Sequence, residues 1–117
     1  MPTHIIRLRG PWECEPIEGE PQARVRLTRR FGLPTNLTPH DRVWLVIAGA
    51  CGRGAASLNT NLLGEFVGAD SPAEFEVTDQ LLPRNLLRID LDLPQNEDAS
   101  DREPSAPFCE VRLEIRS

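Results

Sequence analysis

The sequence predicts an all-β domain, a β-sandwich built from two antiparallel sheets. Apolar residues alternate with polar ones along several short segments, a pattern typical of strands with one buried and one solvated face. Helical periodicity is almost absent. Turn-forming residues, 11 Pro and 8 Gly, divide the chain into short pieces. Its 117 residues give room for one domain, so we expect a single sandwich over residues 1–117.

The alternation predicts the strands in chain order. The alternating segments lie at residues 6–8, 25–27, 75–77, 87–91 and 111–115. Residues 42–48 are apolar on both faces, as in a central strand that is covered on both sides. Residues 55–59 and 62–66 predict a hairpin that turns about Thr60-Asn61. We expect eight or nine short strands, with irregular connections at 15–21 and 94–107.

The alternation also predicts which side chains form the core. On each strand the apolar residues should face the second sheet and the charged residues should face solvent. Trp44 is expected in the core as well, because large apolar side chains in a doubly apolar strand are usually buried. The other predicted core residues are Val25, Leu27, Val43, Leu45, Ile47, Phe75, Val77, Leu87, Ile89, Leu113 and Ile115.

The charged residues exclude several classes of function. All 13 basic residues are arginines, which rules out a Schiff-base lysine and a Walker-type phosphate loop. The net charge of −5 argues against a nucleic-acid partner, which usually requires a basic face. Arg24, Arg26, Arg29 and Arg30 lie close together, and we expect them on a solvated strand face balanced by nearby acids. No apolar run approaches the roughly 20 residues of a membrane-spanning helix, so we expect no membrane partner.

The cysteines give little support for a metal site. Cys14, Cys51 and Cys109 lack the C-x-x-C spacing of zinc sites. They are typical of buried thiols in a reducing compartment, and no secretory signal is visible. We therefore expect a cytoplasmic protein without a metal or cofactor. One alternative stays open, a structural calcium ion near Asp98 and Asp101, because hard cations take carboxylate oxygens.

Five short segments follow one another in an informative order. They are RFGLP at residues 30–34, LNTNLLG at 58–64, SPAEFEVTDQLL at 71–82, NLLRI at 85–89 and VRL at 111–113. In this order they resemble the N-terminal sugar-binding domain of family 2 glycoside hydrolases, the β-galactosidase and β-glucuronidase family. The resemblance spans roughly residues 5–116. It implies a jelly-roll β-sandwich of the galactose-binding-like type, here as a stand-alone domain.

The motifs imply two local features. Thr60 stands where the family has the glycine of an Asn-Gly turn, so the hairpin is expected to use another turn type. Thr78 and Asp79 are expected to cap a short helical turn before Leu82.

The resemblance also implies that the chain is not an enzyme. In the family the catalytic glutamates belong to a separate barrel domain, and nothing like that domain occurs in this sequence. His4 and His40 are the histidines available for a hydrolytic triad, and no serine lies in a G-x-S-x-G motif. Glu74 and Glu76 share one strand face, where acids are commonly solvated.

Two classes of function remain open. In the first, the module binds carbohydrate weakly, with Trp12 as a stacking surface, Arg30 bridging neighbouring hydroxyls and Asn59 as an amide donor and acceptor. Each residue also has a structural interpretation: edge packing for Trp12, a salt bridge for Arg30 and a turn for Asn59. In the second class, the domain is a structural or interaction module that forms a homodimer or binds a separate protein.

Overall fold

The computed structural model describes residues 3–9, 12–17, 24–35, 37–49, 53–67, 72–92 and 109–116. The alternating segments in these ranges form nine strands, because β-branched and other apolar side chains pack well on a pleated surface. The strands are β1 (His4–Arg7), β2 (Glu13–Ile17), β3 (Arg24–Gly32), β4 (Arg42–Ala48), β5 (Gly54–Leu58), β6 (Asn61–Phe66), β7 (Ala73–Glu76), β8 (Arg84–Asp92) and β9 (Glu110–Arg116). A single turn of 3-10 helix, Thr78–Gln80, lies between β7 and β8. None of the described residues belongs to a helix that is long and apolar enough to cross a membrane.

The strands form two antiparallel sheets. One has four strands in the order β1-β9-β4-β7, and the other has five strands in the order β2-β3-β8-β5-β6. The pairing of β3 with β8 runs from Arg24 opposite Asp92 to Gly32 opposite Arg84. Neither sheet closes into a barrel, and the predicted β-sandwich is confirmed.

The core lies between the sheets and takes residues from both. Apart from Trp44, all of the predicted core residues are buried except Phe75 and Ile115, which are half-buried and pack against the core. The core is larger than the predicted set, because it also takes further residues of the alternating segments, residues of β5 and residues next to strand ends. Its further members are Leu8, Trp12, Ala56, Leu58, Leu91, Cys109 and Val111.

Trp44 lies outside this core, contrary to the prediction. Successive residues of a strand point to opposite faces, so the burial of Val43 and Leu45 in the core directs Trp44 outward, where it is half-buried. The guanidinium carbon of Arg116 lies 4.7 Å from the centre of its ring, a cation–π contact. Val46 shares this outer face and is fully buried. Because Trp44 and Val46 are both shielded from solvent on this face, the strand is apolar on both sides.

The connection predicted at residues 15–21 begins later than expected. Residues 15–17 belong to β2 and pair with β3. Pro16 obscures the strand in the sequence, but β2 is an edge strand, where a residue without a backbone N–H is tolerated. The connection predicted at 94–107 lies outside the described residues.

The β5–β6 hairpin turns at Asn59 and Thr60, one residue earlier than predicted. Both residues have positive φ, 52° and 73°, as in the type I′ turn that Asn-Gly favours. The expectation that Thr60 changes the turn type is therefore wrong. Asn adopts positive φ readily, whereas a β-branched residue there is strained and needs support from its surroundings.

The predicted helical turn is present at Thr78–Gln80, but the Thr78 side chain does not cap it. Its hydroxyl oxygen accepts a hydrogen bond from the Val43 amide (2.8 Å) and donates one to Glu76 Oε2 (3.0 Å). Thr78 thereby ties the turn to β4, and the cap that the sequence predicts is replaced by a contact between elements.

Candidate functional site

Trp12, a candidate either for sugar stacking or for edge packing, lies at the edge of the core. The residue is 9% exposed, and its indole Nε1 donates a hydrogen bond to the Leu8 carbonyl oxygen (3.1 Å). The Leu8 amide donates in turn to the Val111 carbonyl oxygen of β9 (3.0 Å). Because the indole is buried and its N–H is satisfied, little of the ring is available to a sugar. This placement agrees with the edge-packing interpretation of Trp12.

The Asn59 amide is used inside the protein. Its Nδ2 donates to Asn85 Oδ1 (2.9 Å) and to the Gln80 carbonyl oxygen (3.3 Å), and its Oδ1 accepts from the Leu86 amide (2.8 Å). Asn85 is 2% exposed; its Oδ1 also accepts from the Leu82 amide (2.9 Å) and its Nδ2 donates to the Leu82 carbonyl (2.8 Å). The two amides join the β5–β6 turn to the start of β8. Asn59 therefore supports the fold, as its turn interpretation predicts.

Arg30 is exposed on β3, and no ion pair involves its side chain within the described part of the chain. The salt-bridge interpretation of Arg30 is therefore not observed there. Two of its neighbours do show the predicted balance of charge: Arg24 pairs with Asp92 and Arg26 pairs with Asp90, each at 2.9 Å. Arg30 alone of the predicted ligand residues keeps its polar group accessible.

The three predicted residues do not form one site. Trp12 precedes β2, Arg30 lies on β3 and Asn59 follows β5. Strands β3 and β8 separate β2 from β5, and neighbouring strands are about 4.8 Å apart. Trp12 and Asn59 are therefore roughly 14 Å apart across the sheet, measured by strand spacing.

A shallow groove of about 440 Å³ lies beside Trp12. It forms where the segment after β1 runs along the start of β9. Its floor is apolar and its rim is charged, and its lining residues are Arg7, Leu8, Arg9, Trp12, Cys109, Glu110 and Val111. A volume of this size falls within the range of small-ligand sites in proteins.

The rim of the groove carries both signs of charge. Arg7 Nε and Arg112 Nη1 each lie 3.8 Å from Glu110 Oε1. Arg9 is exposed, and its carbonyl oxygen accepts a hydrogen bond from Arg29 Nε (2.7 Å), which holds the backbone at this point. Exposed ion pairs of this length contribute little stability, so a ligand can compete for the same groups.

The groove is not apparent from the sequence. Arg7 and Arg9 alternate with Leu8, which is the pattern of a solvated strand face, but β1 ends at Arg7 and the next two residues lie beyond it. The available signal was the closeness of Trp12 to Leu8 in sequence, because a buried tryptophan needs a nearby acceptor for its N–H.

The described residues of the groove do not include the pair of carboxyl groups that a glycosidase active site requires. Glycoside hydrolysis needs two carboxyl groups that flank the scissile bond, and Glu110 is the one carboxylate among the described residues that line the groove. Glu74 and Glu76 share the outer face of β7, as predicted, with Arg116 at 3.1 Å and Arg42 at 3.6 Å respectively. Their ion pairs give these acids a structural role.

Metal-binding side chains are dispersed in the described ranges, where no group of three or more comes together. Asp98 and Asp101, named for the calcium alternative, lie outside these ranges, as does Cys51. Cys109 is buried and Cys14 is half-buried, and burial raises the pKa of the Cys14 thiol. A raised pKa disfavours the thiolate, which is the form that binds metals.

Comparison with known proteins finds a likeness of structure. No family profile matches the sequence, and no curated protein matches it. Among solved structures, an FMN-binding β-glucuronidase from Faecalibacterium prausnitzii matches with a TM-score of 0.73 at 19% identity. The β-glucuronidases of Bifidobacterium dentium and Dictyoglomus thermophilum match with TM-scores of 0.72 and 0.71 at 18% and 16% identity.

Each of these matches covers 97% of this chain but 22%, 30% and 28% of the respective enzyme. The chain therefore spans less than a third of the proteins that it resembles. At such identities the likeness is one of fold. It agrees with the order of the sequence motifs, and this chain has the two-sheet β-sandwich fold of one part of these β-glucuronidases.

Proposed function

We propose that this domain is a non-catalytic binding module and that it holds a carbohydrate in the groove beside Trp12. The observation that supports the proposal is the combination of an apolar floor with a charged rim, the usual composition of a small-ligand site. In the proposed complex Arg7 and Arg9 donate hydrogen bonds to neighbouring hydroxyls and Glu110 accepts one.

Binding in this groove is expected to be weak. A sugar gains much of its affinity by stacking its C–H face on an aromatic ring, and Trp12 is 9% exposed. The other contacts are hydrogen bonds to exposed side chains. Each of these replaces a hydrogen bond to water by one to the sugar and so contributes little net free energy.

NMR titration of the isotope-labelled chain with methyl galactoside tests the proposal. Saturable shifts are expected at the Trp12 indole N–H and at the Leu8 and Val111 amides, which surround the groove. Arg9→Ala should weaken binding about threefold, the effect of one exposed charged contact. Arg53→Ala is the matched control, because Arg53 is also exposed but precedes β5, away from the groove.

Three results would contradict the proposal. Shifts that avoid the groove would place the sugar elsewhere on the domain, and no response to any glycan would exclude carbohydrate binding. If the chain hydrolyses an aryl galactoside, and one point substitution in the chain abolishes this activity, the domain is an enzyme. If glycans give no response and the sedimentation coefficient rises with concentration, the second class of function, a self-associating interaction module, takes the place of sugar binding.

A further inference from the structure

Three exposed arginines lie together on the outer face of the five-stranded sheet, outside the groove. Arg30 lies on β3, and Arg84 and Arg88 lie on β8. In the antiparallel register Arg30 is opposite Leu86, and Gly32 is opposite Arg84. The three arginines therefore surround Leu86, and we call them the arginine cluster.

All three side chains point away from the core. On β8 the burial of Asn85 and Leu87 directs Arg84 and Arg88 to the outer face, because successive residues alternate. Arg30 stands an even number of residues from the two β3 arginines that pair with β8 aspartates, so it lies on the same face as those ion pairs.

The arginine cluster lacks the partners that its neighbours have. On the same face Arg26 donates two hydrogen bonds to the Asp90 carboxylate, at 2.9 and 3.3 Å. Across the described ranges, none of the three clustered arginines takes part in an ion pair. Among the described arginines of this outer face, Arg24 and Arg26 have carboxylate partners and these three do not.

The surrounding charges do not explain the cluster. The protein has a net charge of −5, so an unpaired group of three cations is not a consequence of general basicity. Two acids lie beside the cluster on this face: Asp90, two residues after Arg88 and paired with Arg26, and the exposed Glu13 of β2, one diagonal step from Arg30. Exposed arginines without partners are available to an external anion.

We propose that the arginine cluster docks an acidic protein segment, an extended peptide with carboxylates at alternate residues. On β8, Arg84 and Arg88 lie on either side of Leu86, each two residues away from it. Arg30 is level with Leu86 on the neighbouring strand β3. Measured along the β8 axis, the three arginines are therefore spaced by about 7 Å. Alternate side chains of an extended peptide have the same spacing, since both chains have the same rise per residue. Each guanidinium can bind a carboxylate through two parallel hydrogen bonds. The half-buried Leu86 adds an apolar contact between them.

A carbohydrate fits this face less well than a peptide. In the described part of the chain Trp12 and Phe31 pack with the core, and Trp44 lies on the other sheet. The face therefore offers a sugar no described aromatic ring for stacking. This docking surface is separate from the groove and does not depend on the function proposed for it.

Fluorescence anisotropy with a labelled Glu-Ser-Glu-Ser-Glu peptide tests the proposal, with Gln-Ser-Gln-Ser-Gln as the uncharged probe. At low ionic strength the charged peptide should bind and the uncharged one should not, and added salt should weaken binding by screening. Arg30→Ala, Arg84→Ala and Arg88→Ala should each weaken binding about two- to fivefold, and the triple substitution about tenfold or more. Arg53→Ala, at the other end of the sheet, should leave it unchanged. Circular dichroism verifies that each variant is folded.

Several outcomes would overturn the proposal. One is equal binding of the Gln peptide, and another is an effect of Arg53→Ala as large as that of the triple substitution. Tighter binding of a sulfated polysaccharide than of the peptide would make the occupant a glycan. Self-association of the chain that the triple substitution abolishes would make the occupant a second copy.

Discussion

The buried Asn85 amide offers a direct test of the hydrogen bonds that hold the β5–β6 turn. Asn85→Ala removes three hydrogen bonds of 2.8–2.9 Å, two with the Leu82 backbone and one with Asn59 Nδ2. It also removes a longer one of 3.4 Å to the Phe31 carbonyl. A protein hydrogen bond contributes about 1 kcal/mol net, so the three short bonds amount to about 3 kcal/mol. This is a large share of the roughly 5–15 kcal/mol free energy of unfolding of a small domain.

A double-mutant cycle isolates the bond between the two amides. Asn59→Gly removes the partner side chain and still permits positive φ, which alanine would not do without strain. Urea unfolding of both single variants and the double variant gives the three free energies. The double variant should be less destabilised than the sum of the singles by about 1 kcal/mol, because both singles lose the same bond. Asn61→Ala, at an exposed asparagine of the same hairpin, should change stability by less than about 0.5 kcal/mol.

The reasoning fails if Asn85→Ala costs less than about 1 kcal/mol, since a 2% exposed amide with four partners would then be energetically idle. It also fails if the two substitutions add to within about 0.3 kcal/mol, because contacting residues should couple.

Two further predictions concern backbone strain and acid sensitivity. Thr60→Gly should raise the free energy of unfolding by about 0.5–1 kcal/mol in urea, because relief of left-handed strain at φ 73° exceeds the added chain entropy of glycine; a loss of stability would contradict this. Hydrogen bonds from Arg116 and Arg112, each at 2.7 Å, lower the pKa of Glu114. Its contribution is therefore complete above the unfolded pKa of about 4.3 and is lost as pH falls through the lower folded value. Glu114→Gln should flatten the loss of stability below about pH 4.3, followed by circular dichroism, and an unchanged curve would refute this assignment.

The β-sandwich was predictable because side chains along a strand alternate between its two faces with a period of two residues. A shift of one residue would move every apolar side chain of a strand to solvent, so Val25 and Leu27 could be assigned to the core from their spacing alone. The pattern contains no information on which strands pair. The position of β9 between β1 and β4 depends on contacts between segments that are far apart in the sequence. Trp44 was misplaced for a related reason, because the guanidinium group of Arg116 lies over its ring from a strand far along the chain.

The candidate site was less predictable, because its residue types serve binding and folding equally well. Asn59 has its amide partner 26 residues away, and no local motif identifies that partner. The burial of Trp12 depends on a hydrogen bond from its indole N–H to the carbonyl oxygen of Leu8, four residues before it. Arg30 was correctly expected on an exposed strand face, but the arginines beside it come from β8, and only the register of the sheet brings them together.

The place of β9 in the four-stranded sheet has a consequence for synthesis on the ribosome. Every strand of the five-stranded sheet is complete once Asp92 has been made, whereas β1 depends on β9 for its partner and β4 has β7 alone beside it until β9 is made. A nascent chain can therefore assemble one sheet early and must then keep an uncovered apolar face and unpaired strand edges until residues 110–116 emerge. Such intermediates are prone to aggregate, and pairings between distant segments form slowly. A chain that is truncated before β9 is therefore expected to aggregate more readily than the 117-residue chain.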